Sequence, residues 1–291
     1  MFDQAQRLRQ IVPVATDEIR PATRVITITS GKGGVGKSNF SLNFALGLSA
    51  CGKKVVVLDA DVGFANIDVL MGQTPRRTLA DLVQKKATIW EILELGPYGI
   101  HYIAGGSGLR DFLTLQPDQF EYLMLQLGEL QGFADFLIID TGAGMNQGTL
   151  RFILSSDDVI IVSTPEPTAI TDAYALIKLI TRESGRLLNM QLVVNRATSI
   201  MEAKQVAEKL SLVSKKFLNF DLKSLGYLLD DPKVSEAVKQ QVPFFVRYPD
   251  SPASRCIDQL VRKQLKMPTG VQSMDMGIKS FLSRMRQVFR N

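Results

Sequence analysis

The residues of this 291-residue chain that could do chemistry gather in glycine-rich strings that follow short apolar runs. The densest is Ser30-Gly31-Lys32-Gly33-Gly34-Val35-Gly36-Lys37-Ser38, which satisfies the spacing G-x-x-x-x-G-K-[ST]. Glycines let successive backbone N–H groups turn inward around an anion, and a helix opening at the end of the string directs its positive end at that anion. In such a loop the backbone from Gly31 to Lys37 cradles phosphates. The Lys37 ammonium reaches the β- and γ-phosphates, and the Ser38 hydroxyl ligates Mg²⁺. The spacing predicts a site for ATP or ADP with Mg²⁺. The string lies between an apolar strand and an amphipathic helix, the context the motif requires. Lys32 is not needed for that chemistry, and on its own reads equally well as a solvated side chain.

Two further strings end apolar runs in acids and glycines: Val56-Val57-Leu58-Asp59-Ala60-Asp61-Val62-Gly63 and Ile138-Ile139-Asp140-Thr141-Gly142-Ala143-Gly144. A single Asp at a strand end says little. Several in one chain fit an open α/β sheet, which binds ligands at the carboxyl ends of its strands. A third run, Val193-Val194, ends in Asn195-Arg196. An Asn amide both donates and accepts, which suits adenine N6 and N1, and Arg196 is placed to stack on the base. The single histidine, His101, and the cysteines Cys51 and Cys256 have no ligand-like spacing. No His/Cys metal site is expected, and the cysteines read as small apolar side chains in a reducing compartment.

The elements that must position these residues follow from the hydrophobic pattern. Strand candidates are 25–29, 55–58, 100–103, 136–139, 159–163, 190–194 and 225–228, several of them continuously apolar, as strands covered on both faces are. Helical stretches such as 38–50, 117–130 and 169–183 separate most of them. The alternation predicts one α/β domain over residues 24–265, a doubly wound, mostly parallel sheet with helices on both faces.

Hydrophobic residues make up 45% and charged residues 22%, an ordinary globular balance. No apolar run is long enough to span a bilayer. The N-terminus lacks the basic and then apolar stretch of a signal peptide, so a cytoplasmic location is expected. The net charge of +5 is concentrated at the C-terminus: residues 278–291 hold Lys279, Arg284, Arg286 and Arg290 and no acid. The rest is near neutral, so no direct nucleic-acid partner is expected. Residues 1–12 predict a short helix, capped by Asp3, with Phe2, Leu8, Ile11 and Val12 as apolar candidates. A proline-bearing linker follows at 13–23, and a second linker at 266–277. In the last segment, 278–291, Ile278, Phe281, Leu282, Met285, Val288 and Phe289 fall on one arc of a helix with the basic residues opposite. Such a helix can lie in an anionic membrane surface, or pack its apolar stripe on the domain.

The string G-K-G-G-V-G-K-S resembles the deviant phosphate loop of the MinD/ParA ATPases. The resemblance implies that Lys32 is the signature lysine that crosses a dimer interface to the partner's nucleotide. It implies that Asp61 orients the attacking water while Asp59 is structural or lies in the outer Mg²⁺ shell. Asp140 would hold that shell through water, and an Asn or Asp near position 195 serves the base. Asp3-Gln4-Ala5-Gln6-Arg7-Leu8-Arg9 is similar to a D-Q-A-x-x-L-R signature of the FlhG family of MinD-like ATPases, which set flagellar number and placement. The segments 164–174 and 241–244 are similar too, so the likeness runs from residue 3 to 290. It implies an ATP-dependent homodimer that binds the inner face of the cell membrane and meets flagellar switch (C-ring) proteins. It also implies that Asp3, Gln4, Ala5, Leu8 and Arg9 stimulate the GTPase FlhF. The alternative is a DNA-partition or other cargo-positioning ATPase of the same fold. A nitrogenase-like iron protein would need two cysteines near the nucleotide, and a tyrosine kinase a tyrosine-rich tail, whereas no tyrosine follows Tyr248.

Overall fold

β-branched and aliphatic residues fill the runs RVITIT, VVVLDA, FLIIDT and DVIIVS, and every residue of these four strands is buried. Strands apolar on both faces must be covered on both faces, and that requirement organises the molecule. The computed structural model describes residues 22–61, 66–106, 115–266 and 276–290. The N-terminal helix expected at 1–12, most of its linker and residues 267–275 of the second linker lie outside the described residues.

Eight strands form one sheet: β1 (Arg24–Thr29), β2 (Val55–Ala60), β3 (Glu94–Leu95), β4 (His101–Ile103), β5 (Phe136–Thr141), β6 (Asp158–Ser163), β7 (Asn189–Ala197) and β8 (Lys223–Leu229). Their spatial order is β3-β4-β2-β5-β1-β6-β7-β8. All pairings are parallel except β3 with β4. The two-residue edge strand β3 was not expected from the pattern, being too short for any alternation to register. The helices are α1 (Lys37–Ala50), α2 (Ile67–Leu70), α3 (Leu79–Val83), α4 (Ile89–Ile92), α5 (Pro117–Gly128), α6 (Gln147–Ser155), α7 (Pro167–Glu183), α8 (Ile200–Leu218), α9 (Pro232–Lys239), α10 (Phe244–Arg247), α11 (Pro252–Lys266) and α12 (Ile278–Arg290).

One face of the sheet packs against α1 and α11, the other against α5, α6 and α12 near β1, β2 and β5 and against α7 and α8 near β6 and β7. Contrary to the expected amphipathic pattern, α1 is buried continuously from Phe40 to Leu48. It lies between the sheet and α11, so no side of its middle turns faces water. Gly47 makes that possible: a Cβ there would sit 2.9 Å from both Ile257 and Val261 of α11.

The basic C-terminal helix is docked. Ile278, Phe281, Leu282 and Met285 are buried in the core formed with α3, α4 and α5. Phe281 stacks on Phe152 of α6, and Phe289 on Phe120 of α5 at 3.9 Å between ring centres. The buried carboxylate of Asp157 fastens the helix start. It accepts from the N–H groups of Val25 (2.9 Å) and Gly277 (3.0 Å) and pairs with Arg284 at 2.7 Å. Burial pushes this carboxyl above its usual range, while those donors pull it back.

Candidate functional site

Parallel pairing brings the carboxyl ends of β1, β2, β5, β6 and β7 to one edge, so residues distant in sequence meet there. β1, at the centre, runs into the glycine string, and α1 leaves it. Gly34 and Gly36 take left-handed φ values of 77° and 86°, a region open to glycine at little cost. Gly36 is the N-cap of α1, and no side chain caps that helix. Its first N–H groups are therefore offered to an anion. Gly31 touches the backbone of α7, where a Cβ would fall 2.3 Å from the Asp172 carbonyl oxygen.

Below the loop lies a buried charge cluster. The Lys37 ammonium donates to Asp140 Oδ1 at 3.0 Å and to the Ser38 hydroxyl at 3.4 Å. Ser41, one turn along α1, donates to the same Asp140 oxygen at 2.7 Å. Lys37 is 6% and Asp140 0% exposed, so this is an ion pair taken out of water. The strand register sets Asp59 of β2 directly beside Asp140 of β5. Burial first, and the Asp140 charge second, push the Asp59 carboxyl up to about 7. Three backbone donors oppose that shift: Asp61 (3.0 Å), Asn66 (2.9 Å) and Ile67 (3.2 Å). Asp59 thus holds together the chain after β2 and the start of α2.

Asp61 is half-buried above Gly142, where a Cβ would lie 3.2 Å from its Oδ1. Burial raises its carboxyl above the usual range, and Lys37 draws it back. The loop after β5 is tied to the phosphate loop by the Gly144 N–H bond to the Ser30 carbonyl at 3.0 Å. Asn195 at the end of β7 braces the loop from the far side. Its amide donates to the Val35 carbonyl at 2.7 Å, and its carbonyl accepts from the Arg196 N–H at 2.9 Å. Arg196 is exposed and left-handed, with φ 56°. Lys32 points away from Lys37. Its ammonium binds Glu166 Oε2 at 3.0 Å and the Thr168 hydroxyl at 2.9 Å, at the start of α7. The pair is largely exposed, so it holds the lysine by no more than about 1 kcal/mol.

The fit to a magnesium nucleotide rests on what is left over in this geometry. Asp140 Oδ2 is buried with no protein partner, an acceptor waiting for a metal-bound water. The start of α1, with no side-chain cap and left-handed Gly34 and Gly36 before it, suits a phosphate, and Ser38 stands at the first turn of the helix. The residues expected from the sequence on this edge, Gly31 to Ser38, Asp59, Asp61, Asp140, Asn195 and Arg196, are brought together. The six apolar residues of α12 are elsewhere, on the body of the domain. Ser41, Glu166, Thr168 and the Asp172 backbone were not expected in the site. Ser41 carried a legible signal, lying four residues after Lys37 and so on the same helix face. The other three meet the loop only through the fold.

Comparison with known proteins gives the family. Residues 21–265 match the family model described as "ParA: NUBPL iron-transfer P-loop NTPase". The chain is 38% identical over 240 residues to the antiactivator FleN of Pseudomonas aeruginosa, covering 82% of this chain and 85% of that one. It is 34% identical over 294 residues to the flagellum site-determining protein YlxH of Helicobacter pylori, covering 98% of each. Its fold matches the septum site-determining protein MinD of Pyrococcus horikoshii, solved with Mg-ADP. The TM-score is 0.69 at 23% identity, covering 84% of this chain and 96% of that one. The chain belongs to the ParA/MinD family of P-loop ATPases, where it groups with the FleN and YlxH proteins.

Proposed function

We propose that this ATPase is a nucleotide-controlled switch that regulates the number and placement of flagella. The observation that carries this reading is the similarity to YlxH over 98% of both chains, which takes in the two terminal segments as well as the ATPase domain. In this reading Gly31 to Ser38 hold the phosphates of ATP, with Lys37 on the β- and γ-phosphates. Ser38 ligates Mg²⁺, with Asp140 and the neighbouring Asp59 acting on its shell through water. The metal supplies charge neutralisation at the transferring phosphoryl group. Asp61 positions the attacking water, and Asn195 and Arg196 meet the base. Lys32 exchanges its weak pairing with Glu166 and Thr168 for the nucleotide of a second copy, forming an ATP-dependent dimer. Residues 2–12 stimulate FlhF, and the body meets flagellar C-ring proteins.

The C-terminal helix is the membrane contact in this reading, and its docking makes that contact conditional. No helix among the described residues is long and apolar enough to cross a membrane. Ile278, Phe281, Leu282 and Met285 each contribute roughly 1.5–3 kcal/mol by being buried. The same side chains cannot serve core and bilayer at once, so ATP-driven rearrangement must favour their release. Iron transfer, named in the family description, does not suit this chain. Cys51 is exposed at the far end of α1, roughly 20 Å of helix from the phosphate loop, and Cys256 is buried.

Co-sedimentation with anionic liposomes tests the reading. The full chain should pellet with ATP and remain in solution with ADP, and removal of residues 278–291 or Phe281→Glu should abolish pelleting. Pelleting that is indifferent to nucleotide, or that survives the truncation, overturns the membrane assignment.

A further inference from the structure

At the edge opposite the phosphate loop, a cavity of about 340 Å³ opens between the end of α7, the start of β7 and the end of α8. That volume is at the lower end of pockets that bind ligands, roughly 300–1,000 Å³. Its floor is core: Leu188, Met190 and Phe220 are buried, and Thr181 and Leu218 share the wall with the polar Ser184, Arg186 and Asn219. At its rim Leu187 is 86% exposed, more than any other large hydrophobic residue among those described. The Leu187 side chain is the apolar group that this rim leaves open to solvent, beside the buried floor.

The chain itself carries a segment that reaches it. Twenty-one residues precede Ala22, and Ala22 enters at this same edge. It lies against Gly277, where a Cβ would come within 2.9 Å of the Ala22 Cβ, and the neighbouring Thr23 bonds the Ala134 carbonyl at 2.6 Å. The sheet register puts Met190 level with Val159 of β6 and Thr27 of β1. Two strand spacings across the sheet, roughly 10 Å, and the five residues from Ala22 to Thr27 along it, roughly 16 Å, put the entry point about 19 Å from Met190. Thirteen residues lie between Leu8 and Ala22; those fourteen steps of chain span at most about 46 Å and as a flexible coil about 20 Å. Within residues 1–21, Leu8, Ile11 and Val12 stand at the helical spacing i, i+3 and i+4. A tether of this length gives an effective concentration on the order of millimolar, so even a contact with a Kd of about 1 mM would be half filled.

We propose that residues 8–12 dock in this pocket, with Leu8, Ile11 and Val12 covering Leu187 and the floor beneath it. The inference goes beyond the flagellar reading and does not depend on it. It gives the N-terminal segment a resting place on its own domain, from which any partner that takes the segment must displace it.

Cysteine cross-linking in the full chain tests the docking. In a Cys51→Ser background, where Cys256 stays buried, Leu8→Cys is combined with Leu187→Cys, and separately with Leu125→Cys. Leu125 is exposed on α5; the chain just past that helix, at Leu130, accepts from Thr23 beside the tether's entry point, and α5 packs in a different core cluster from the pocket residues. Under mild oxidation the 8–187 disulfide should form at least tenfold faster than the 8–125 disulfide, at a rate independent of protein concentration. Adding Ile11→Glu and Val12→Glu should erase that advantage. Equal rates for the two pairs overturn the proposal, as does a rate that rises with concentration, which would mean docking between copies. So does an advantage that survives Ile11→Glu and Val12→Glu, because the tether alone would then explain it. Both domain positions are exposed, so neither substitution threatens the fold.

Discussion

Lys37→Ala should weaken the nucleotide-free chain as well as its nucleotide binding. The ammonium of Lys37 is almost wholly buried against Asp140, and Asp59 lies beside Asp140 in the strand register. Removing it leaves two neighbouring buried carboxyl groups with only the hydroxyl of Ser41 and backbone donors for company. Breaking a buried pair by deleting one partner costs about 3–5 kcal/mol, a large part of a domain's total stability of about 5–15 kcal/mol. The Asp59–Asp140 pair is relieved by taking up a proton, so the deficit should be largest at pH 7.5 and shrink towards pH 5. Urea unfolding of nucleotide-free protein at both values measures it. Lys37→Met combined with Asp140→Asn removes both charges at similar volume and should recover most of the loss. A deficit below about 1 kcal/mol at pH 7.5, or one that does not change with pH, would refute the buried cluster. Affinity for ATP should fall at least tenfold in the single variant, by isothermal titration.

Asp59 adds its own pH dependence. Its carboxyl sits at about 7 when folded and near its ordinary value of 3.8 when unfolded, so between those values the folded chain holds a proton that the unfolded chain has released. Its stabilising contribution is therefore full below about pH 4 and is lost as pH rises to about 7; Asp59→Asn should flatten that part of the urea-midpoint profile, and an unchanged slope would contradict it. Asp61→Ala with ATP should accumulate a dimer in sedimentation velocity, because hydrolysis stops while binding persists, whereas Lys32→Ala should bind ATP and stay monomeric. A monomeric Asp61→Ala protein, or a dimeric Lys32→Ala protein, reverses those roles. A peptide of residues 2–12 should raise the GTPase rate of FlhF by itself, and Gln4→Ala should lower that stimulation while leaving binding intact; no stimulation, or full stimulation by a chain lacking residues 1–12, removes the assignment.

Much of the site was legible because each part of it is local. Gly31 to Ser38 are contiguous, and their spacing alone marks a loop that leaves a strand and opens a helix, as β1 and α1 do. The acids at 59, 61 and 140 stand where apolar strands end, and parallel strands end on one edge. For the same reason the doubly wound sheet could be read from buried β-branched runs alternating with helical stretches.

Other features depended on which elements meet. Nothing in the spacing of Glu166 and Thr168 ties them to Lys32, 134 and 136 residues earlier; only the side-by-side position of β1 and β6 does. The upward shift of the Asp59 carboxyl needs the register that sets Asp140 beside it. The burial of α1 all round needs α11 to lie over Gly47. The C-terminal helix shows the division most clearly. Its apolar arc and basic opposite face are written in residues 278–290, because a 3.6-residue period is a property of the chain. Whether that arc faces a bilayer or a protein core is set by whether a complementary apolar surface lies within reach. The tertiary structure supplies one in Phe120, Phe152 and their neighbours, with Asp157 at the helix start to hold Arg284.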